Sequence, residues 1–274
     1  MLIGFTVDQY RRLPIWIILR TLRWSGVSFS EVTSNVFLGY KKALRSARGM
    51  SLGLHLPNFG NCGYDFSSLG SKERIETVLS QIELIGKRFD FRYAVFHPPE
   101  ADSSGKSFDF YIENLLRVGI PLVLENVQGF TVERFVDFYR YANEKLQGRI
   151  QGVCLDIPHA YLTGEDWQGF YQTLSSEIKV VHLTDCRDDI DFHLPFGIGG
   201  DLCLEEILKT LQMEGFDGML NFEMLPPSLG HLDAYFKTYL RAREFFDPKG
   251  LGRVRRRMKL ISFVGRVVEA FLRR

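Results

Sequence analysis

Short apolar runs alternate along the whole chain with longer stretches whose apolar residues recur every three or four positions. The runs Met1 to Val7, Val27 to Val32, Leu52 to Leu56, Tyr93 to Phe96, Leu122 to Leu124, Val153 to Leu155, Ile178 to Val181 and Gly218 to Phe222 predict eight strands. Between and after them the helical spacing predicts helices over Pro14 to Trp24, Leu38 to Arg48, Ser71 to Phe89 with Ser71 as cap, Phe108 to Val118, Thr131 to Leu146, Gly164 to Leu174, a stretch ending near Met213, and Leu232 to Phe246. The strands read as nearly continuous apolar runs, as strands buried on both faces do. Eight β/α units of that kind predict an α/β fold, a single closed (β/α)8 TIM barrel over residues 1–250. Two connections stand out. Pro57 to Gly70, rich in Gly, Asn and Ser, suits a binding loop, and the segment from the seventh strand to Leu202 reads as irregular.

At 274 residues and 45% hydrophobic content, the chain is long enough for one such barrel with a large core. Cys62, Cys154, Cys186 and Cys203 show no C-x-x-C spacing, so the expectation is reduced thiols in a cytoplasmic protein. Pro14 to Leu19 is too short to span a bilayer and is read as part of a core helix. No G-x-G-x-x-G or G-x-x-x-x-G-K supports a nucleotide-binding fold. The formal net charge of +1 hides an asymmetry: residues 251–274 hold eight basic residues and one acid, a net +7, which leaves −6 for the first 250 residues. An acidic body argues against extensive phosphate-backbone contact. The tail itself, with Val254, Met258, Ile261, Val264 or Gly265, Val268 and Phe271 or Leu272 at helical spacing, is a basic amphipathic helix. Two readings of it stand open: packing across the bottom of the barrel, or peripheral contact with an anionic membrane.

The chemistry concentrates at strand ends. Gly152-Val153-Cys154-Leu155-Asp156 ends on a carboxylate with His159 three residues later. Alone, that pattern is more often a helix cap beside a satisfied histidine. Repetition argues otherwise, because His55, His97, Glu125, His182 and Glu223 end other apolar runs, and Asp191 and His193 follow the seventh. In a β/α barrel the carboxyl ends of the strands form the catalytic rim. Five histidines and four carboxylates, without thiolate, are ligands for Zn²⁺, with Mn²⁺ or Fe²⁺ as alternatives. Nine groups are too many for one ion and suit two or three.

These motifs, namely Val95-Phe96-His97-Pro98, Val123-Leu124-Glu125-Asn126, the Asp156 segment with His159, His182-Leu183-Thr184-Asp185, Asp191-x-His193 with Gly197 and Gly199, and Phe222-Glu223, resemble the endonuclease IV-like branch of the xylose isomerase-like barrels, also called the AP endonuclease 2 superfamily. The resemblance runs in family order from His55 to Glu223. It implies three zinc ions: one on His55, His97 and Glu125; one on Glu125, Asp156, His182 and Glu223; one on His159, Asp191 and His193. It also implies hydrolysis of a phosphodiester, with Glu125 as the bridging catalytic group that orients the attacking water. Departures narrow the substrate. DNA-repair members carry Gly-Ala-His-like and Asn-x-Arg-x-Trp-like segments where this chain reads Gly4-Phe5-Thr6-Val7 and Asn35-Val36-Phe37-Leu38, and a Tyr-Leu wedge where it reads Asn58-Phe59. With Asn58, Phe59 and Asn126 as substrate contacts, the favoured substrate is a small nucleotide-containing molecule, such as the nucleotide loop of a cobamide opened during cobamide remodelling. The alternatives are abasic DNA and, in another class, single-metal sugar isomerisation or epimerisation by Glu125, Asp156, His182 and Glu223.

Overall fold

The structure is a computed structural model describing residues 1–10, 13–99, 105–224 and 228–272; Arg273 and Arg274 of the basic tail lie outside it. Among the described residues there are ten strands: β1 (Leu2–Val7), β2 (Phe29–Thr33), β3 (Ser51–His55), β4 (Phe91–Phe96), β5 (Leu122–Glu125), β6 (Ile150–Asp156), β7 (Ile178–Leu183), β8 (Asp185–Arg187), β9 (Ile190–Leu194) and β10 (Met219–Phe222). Eight of them close into a barrel in the order β1-β10-β7-β6-β5-β4-β3-β2, every pair parallel. Helices Ile15–Ser25, Tyr40–Ser46, Lys72–Ile85, Phe108–Arg117, Val132–Lys145, Trp167–Leu174, Leu204–Met213 and Leu232–Phe246 form the outer ring. Ser107, Thr131 and Asp166 cap three of them through their side chains. Ser71 does not cap the helix it precedes; a 3₁₀ turn, Leu69–Ser71, leads into Lys72 instead.

Side chains alternate between the two faces of each strand, so inward-facing residues recur every second position. Phe29, Tyr93, Val95, Val123, Cys154 and Val180 form a separate apolar cluster inside the barrel, distinct from the larger core between strands and helices. Phe29 and Tyr93 fill its lower half because glycines face them. A Cβ on Gly4 would meet the Phe29 carbonyl oxygen at 2.2 Å, and one on Gly53 would lie 2.5 Å from the Tyr93 ring. The barrel is therefore plugged below by this cluster, and its polar interior faces the carboxyl ends of the strands.

The segment after β7, expected to be irregular, is a hairpin in which β8 and β9 pair antiparallel. Its loop, Asp188-Asp189, takes positive φ at both residues (52° and 60°), the turn geometry that two-residue hairpins favour and that Asp tolerates. β8 is only three residues long, and β9, Ile190-Asp191-Phe192-His193-Leu194, alternates apolar and polar positions where the other strands are continuous apolar runs.

The last helix, Leu251–Leu272, runs up the flank of the barrel and does not cross its bottom. Val254 lies against Gly26, at the lower end of the first helix, and Gly265 packs on the Leu229 carbonyl just beyond β10, at the upper end. Val254, Met258, Ser262 and Gly265 face the barrel. No helix among the described residues is long and apolar enough to cross a membrane.

Candidate metal centre

The two-residue spacing continues upward from the aromatic plug. Glu31 follows Phe29, His55 follows Gly53, His97 follows Val95, Glu125 follows Val123, Asp156 follows Cys154 and His182 follows Val180, so six strands deliver a polar side chain into the open end of the barrel. Glu223, one residue past β10, and Thr6 of β1 complete the ring.

Glu125 is at the centre and 1% exposed. Its Oε1 lies 3.3 Å from His97 Nε2 and 3.5 Å from His159 Nδ1; its Oε2 lies 3.3 Å from His182 Nδ1 and 3.6 Å from His55 Nε2. Two of the expected ligand sets share it, Cys154 and His182 make a further close group with it, and Glu31, His55 and Glu223 make another beside it. His55, His97 and Glu125 offer atoms all within 4.8 Å of one another, and so do Glu125, Asp156, His182 and Glu223. The third expected set is looser. Asp191 Oδ2 lies 3.9 Å from His159 Nε2, and Asp191 Oδ1 lies 3.7 Å from His193 Nδ1, with Asp191 and His193 carried on β9 of the unforeseen hairpin. This trio does not close to the mutual distance of the other two sets.

The imidazoles are oriented for ligation. His55 Nδ1 lies 2.8 Å from the Leu56 carbonyl and His159 Nδ1 2.9 Å from the Asn126 carbonyl, so each ring is assigned as donating there, which leaves the Nε2 lone pair of His55 toward Glu125 and that of His159 toward Asp191. His182 is reversed: Nε2 lies 3.0 Å from Glu31 Oε2, which leaves Nδ1 facing Glu125 and Glu223. Glu31 is in turn held by the Tyr93 hydroxyl, which donates at 2.7 Å. Among the described residues, neither oxygen of Glu125 has a hydrogen bond, nor do Asp156 Oδ2, His182 Nδ1, Asp191 Oδ2 and His193 Nδ1. Buried acceptors without donors are costly, and their convergence on shared space fits cations.

Protonation tells the same story for the metal-free chain. Burial raises Glu125, but His97 and His182 outweigh it and hold the carboxyl well below its usual range. Asp156 goes the other way: burial, only partly offset by His159, pushes its carboxyl up to about 7. Burial works against charge on His55, His159 and His182, yet surrounding acidic groups raise all three. Protons thus stand in for the positive charge that the carboxylates require.

Two expected substrate contacts have other work. Asn126 accepts the Asp156 N–H at 2.7 Å and donates to the Asp156 carbonyl at 2.9 Å, so its buried amide fixes the end of β6. Asn58 caps the turn Phe59–Cys62 by accepting from Asn61 N–H at 2.8 Å. Phe59, 43% exposed, remains free to meet a ligand. Asp156 has both roles weighed for it: Oδ1 caps the next helix at His159 N–H, 2.7 Å away, while Oδ2 faces the centre. Glu31, Thr6 and Cys154 were not foreseen. Thr6 donates to Glu223 Oε1 at 3.1 Å, and Cys154, whose thiol is pushed well up by burial, sits beside Glu125 and His182.

A family model described as "Xylose isomerase-like TIM barrel" matches residues 32–244. Among solved structures, the 3-keto-D-glucoside 4-epimerase of E. coli is similar at a TM-score of 0.62 and 16% identity, over 89% of this chain and 99% of that one. A family 2 AP endonuclease from Brucella melitensis is similar at 0.61 and 12%, over 90% and 98%. D-psicose 3-epimerase from Clostridium cellulolyticum H10 is similar at 0.60 and 14%, over 98% and 99%. At these identities the likeness is one of fold. No curated protein matches.

Proposed function

Because this chain belongs to the xylose isomerase-like TIM barrel family, whose members include enzymes of several chemistries, we propose that it is a metal-dependent hydrolase of phosphodiester bonds, with a small nucleotide-containing substrate such as the nucleotide loop of a cobamide. The observation that supports this reading is Glu125, which belongs to both ligand sets, with His97 and His159 beside Oε1 and His182 and His55 beside Oε2. A bridging carboxylate serves two ions, and a one-ion isomerase has no use for His55 and His97.

His55, His97 and Glu125 would hold one zinc, and Glu125, Asp156, His182 and Glu223 a second; His159, Asp191 and His193, the more exposed groups, would hold a third. Bound there, the ions would supply Lewis-acid activation of water and neutralise phosphoryl oxygens. The chain's own part is positional. Glu31 keeps the His182 proton on Nε2, Thr6 turns Glu223 inward, and the Asn126 amide holds Asp156 at the β6 terminus. Glu125, desolvated and ionised, is the residue proposed to align the attacking water. The exposed Phe59 ring offers a stacking face for a base.

A second reading, sugar epimerisation with one metal, is favoured by the compactness of the Glu125, Asp156, His182 and Glu223 set and by the epimerases among the similar structures. Metal content per chain, measured on protein purified without added metal or chelator, separates the two. Two to three ions, with turnover of a cobamide or an abasic duplex, are expected for the hydrolase; one ion with turnover of a ketose would replace it by the epimerase.

A further inference from the structure

The terminal helix, Leu251–Leu272, has two apolar faces where packing needs one. Val254, Met258 and Gly265 are seated on the barrel flank. At about 100° per residue, the opposite side carries Leu260, Phe263, Val264, Val267 and Phe271, which are between 39% and 71% exposed. This stripe occupies the upper half of the helix. Gly265 packs on Leu229 just beyond β10, so the stripe lies at the same end of the barrel as the Glu125 centre. It is also continuous with further apolar surface, since Leu260 and Val264 border a cavity of about 470 Å³ that reaches Ile17 and Tyr235.

The basic residues of this helix divide in a telling way. Arg255 pairs with Glu244, Arg266 with Asp233, and Arg257 donates to the Trp24 carbonyl. Arg253, Arg256 and Lys259 are exposed and have no ion pair among the described residues, and Arg253 and Arg256 point to the same side as the apolar stripe, just below it. An outward face that presents unpaired cations and then large apolar side chains matches the headgroup and acyl layers of an anionic bilayer.

We propose that the outer face of the terminal helix docks on an anionic lipid surface, which brings the mouth of the barrel next to the membrane. The stripe enters the acyl boundary, and Arg253, Arg256 and Lys259 meet the lipid phosphates. The surface is independent of which reaction the centre performs.

The test is co-sedimentation of the full chain with vesicles of phosphatidylcholine alone and of phosphatidylcholine mixed equally with phosphatidylglycerol. The mixed vesicles are expected to retain at least about tenfold more protein, with the difference shrinking in high salt. Two variants, Phe263→Ser/Val267→Ser/Phe271→Ser and Arg253→Gln/Arg256→Gln/Lys259→Gln, alter only exposed side chains, so both should melt like the parent while losing most of that binding. Equal retention on the two vesicle types, or undiminished binding by either variant, would overturn the proposal. So would a chain that ignores vesicles and runs as a dimer that the apolar variant dissociates, because the stripe would then be the seat of a second copy.

Discussion

Single side chains separate the positions that hold the centre from those that hold its holders. Glu125→Gln keeps the volume and the fold but leaves an amide where two ligand sets need a charged, two-sided acceptor. Turnover should fall by more than about a hundredfold, beyond the roughly 10- to 100-fold that outer partners of a metal site cost, and metal content should drop with it. Glu31→Gln acts one step removed. Its carboxylate accepts from His182 Nε2 and from the Tyr93 hydroxyl, so the amide removes the charge that sets the His182 tautomer. The expected result is metal affinity weakened about 10- to 100-fold, measured by competition with a chromophoric chelator, with the unfolding transition retained. Unchanged affinity would mean that His182 does not depend on Glu31 for its orientation.

At the scale of strands and helices, the barrel and its order of strand-end groups were legible because burial on both faces writes each strand as an apolar run and six of the eight runs lead to a candidate ligand. Glu31 was hidden by the same habit of reading ends: it lies inside β2, two residues after Phe29, where only the inward alternation reveals it. The hairpin of β8 and β9 was missed because its strands are short and β9 is written as an alternation, Ile190, Phe192 and Leu194 with polar residues between, and not as a continuous apolar run. The role of Asn126 depends on the end of β6, brought near by folding, which no side-chain pattern encodes, whereas Asn58 caps the turn that follows it, a local signal that was passed over. Gly53 shows how far an element can reach. Gly53→Ala drives a methyl into the Tyr93 ring, and overpacking of this kind costs about 1–3 kcal/mol. Chemical denaturation should register that loss, and because Tyr93 carries the hydroxyl that holds Glu31, metal affinity should weaken as well.

For the molecule as a whole, the centre is also a structural joint, since strands β2 through β7 and the segment after β10 all end on it. A metal present at 1,000 times its dissociation constant stabilises the fold by about 4 kcal/mol, which for a chain of this length is about 8–16 °C in melting temperature. Treatment with a chelator should lower the transition by that order, and added zinc should restore it; a melt indifferent to chelator would count against a resident metal. The aromatic plug adds a rule of traffic. Phe29 and Tyr93 close the barrel from below, and His159, Asp191 and His193 stand on the outer side of Glu125, so the centre is a cul-de-sac with one entrance. Any ions held there would enter and leave through that one mouth, so a partly emptied chain is expected to lose first the ion nearest His159, Asp191 and His193.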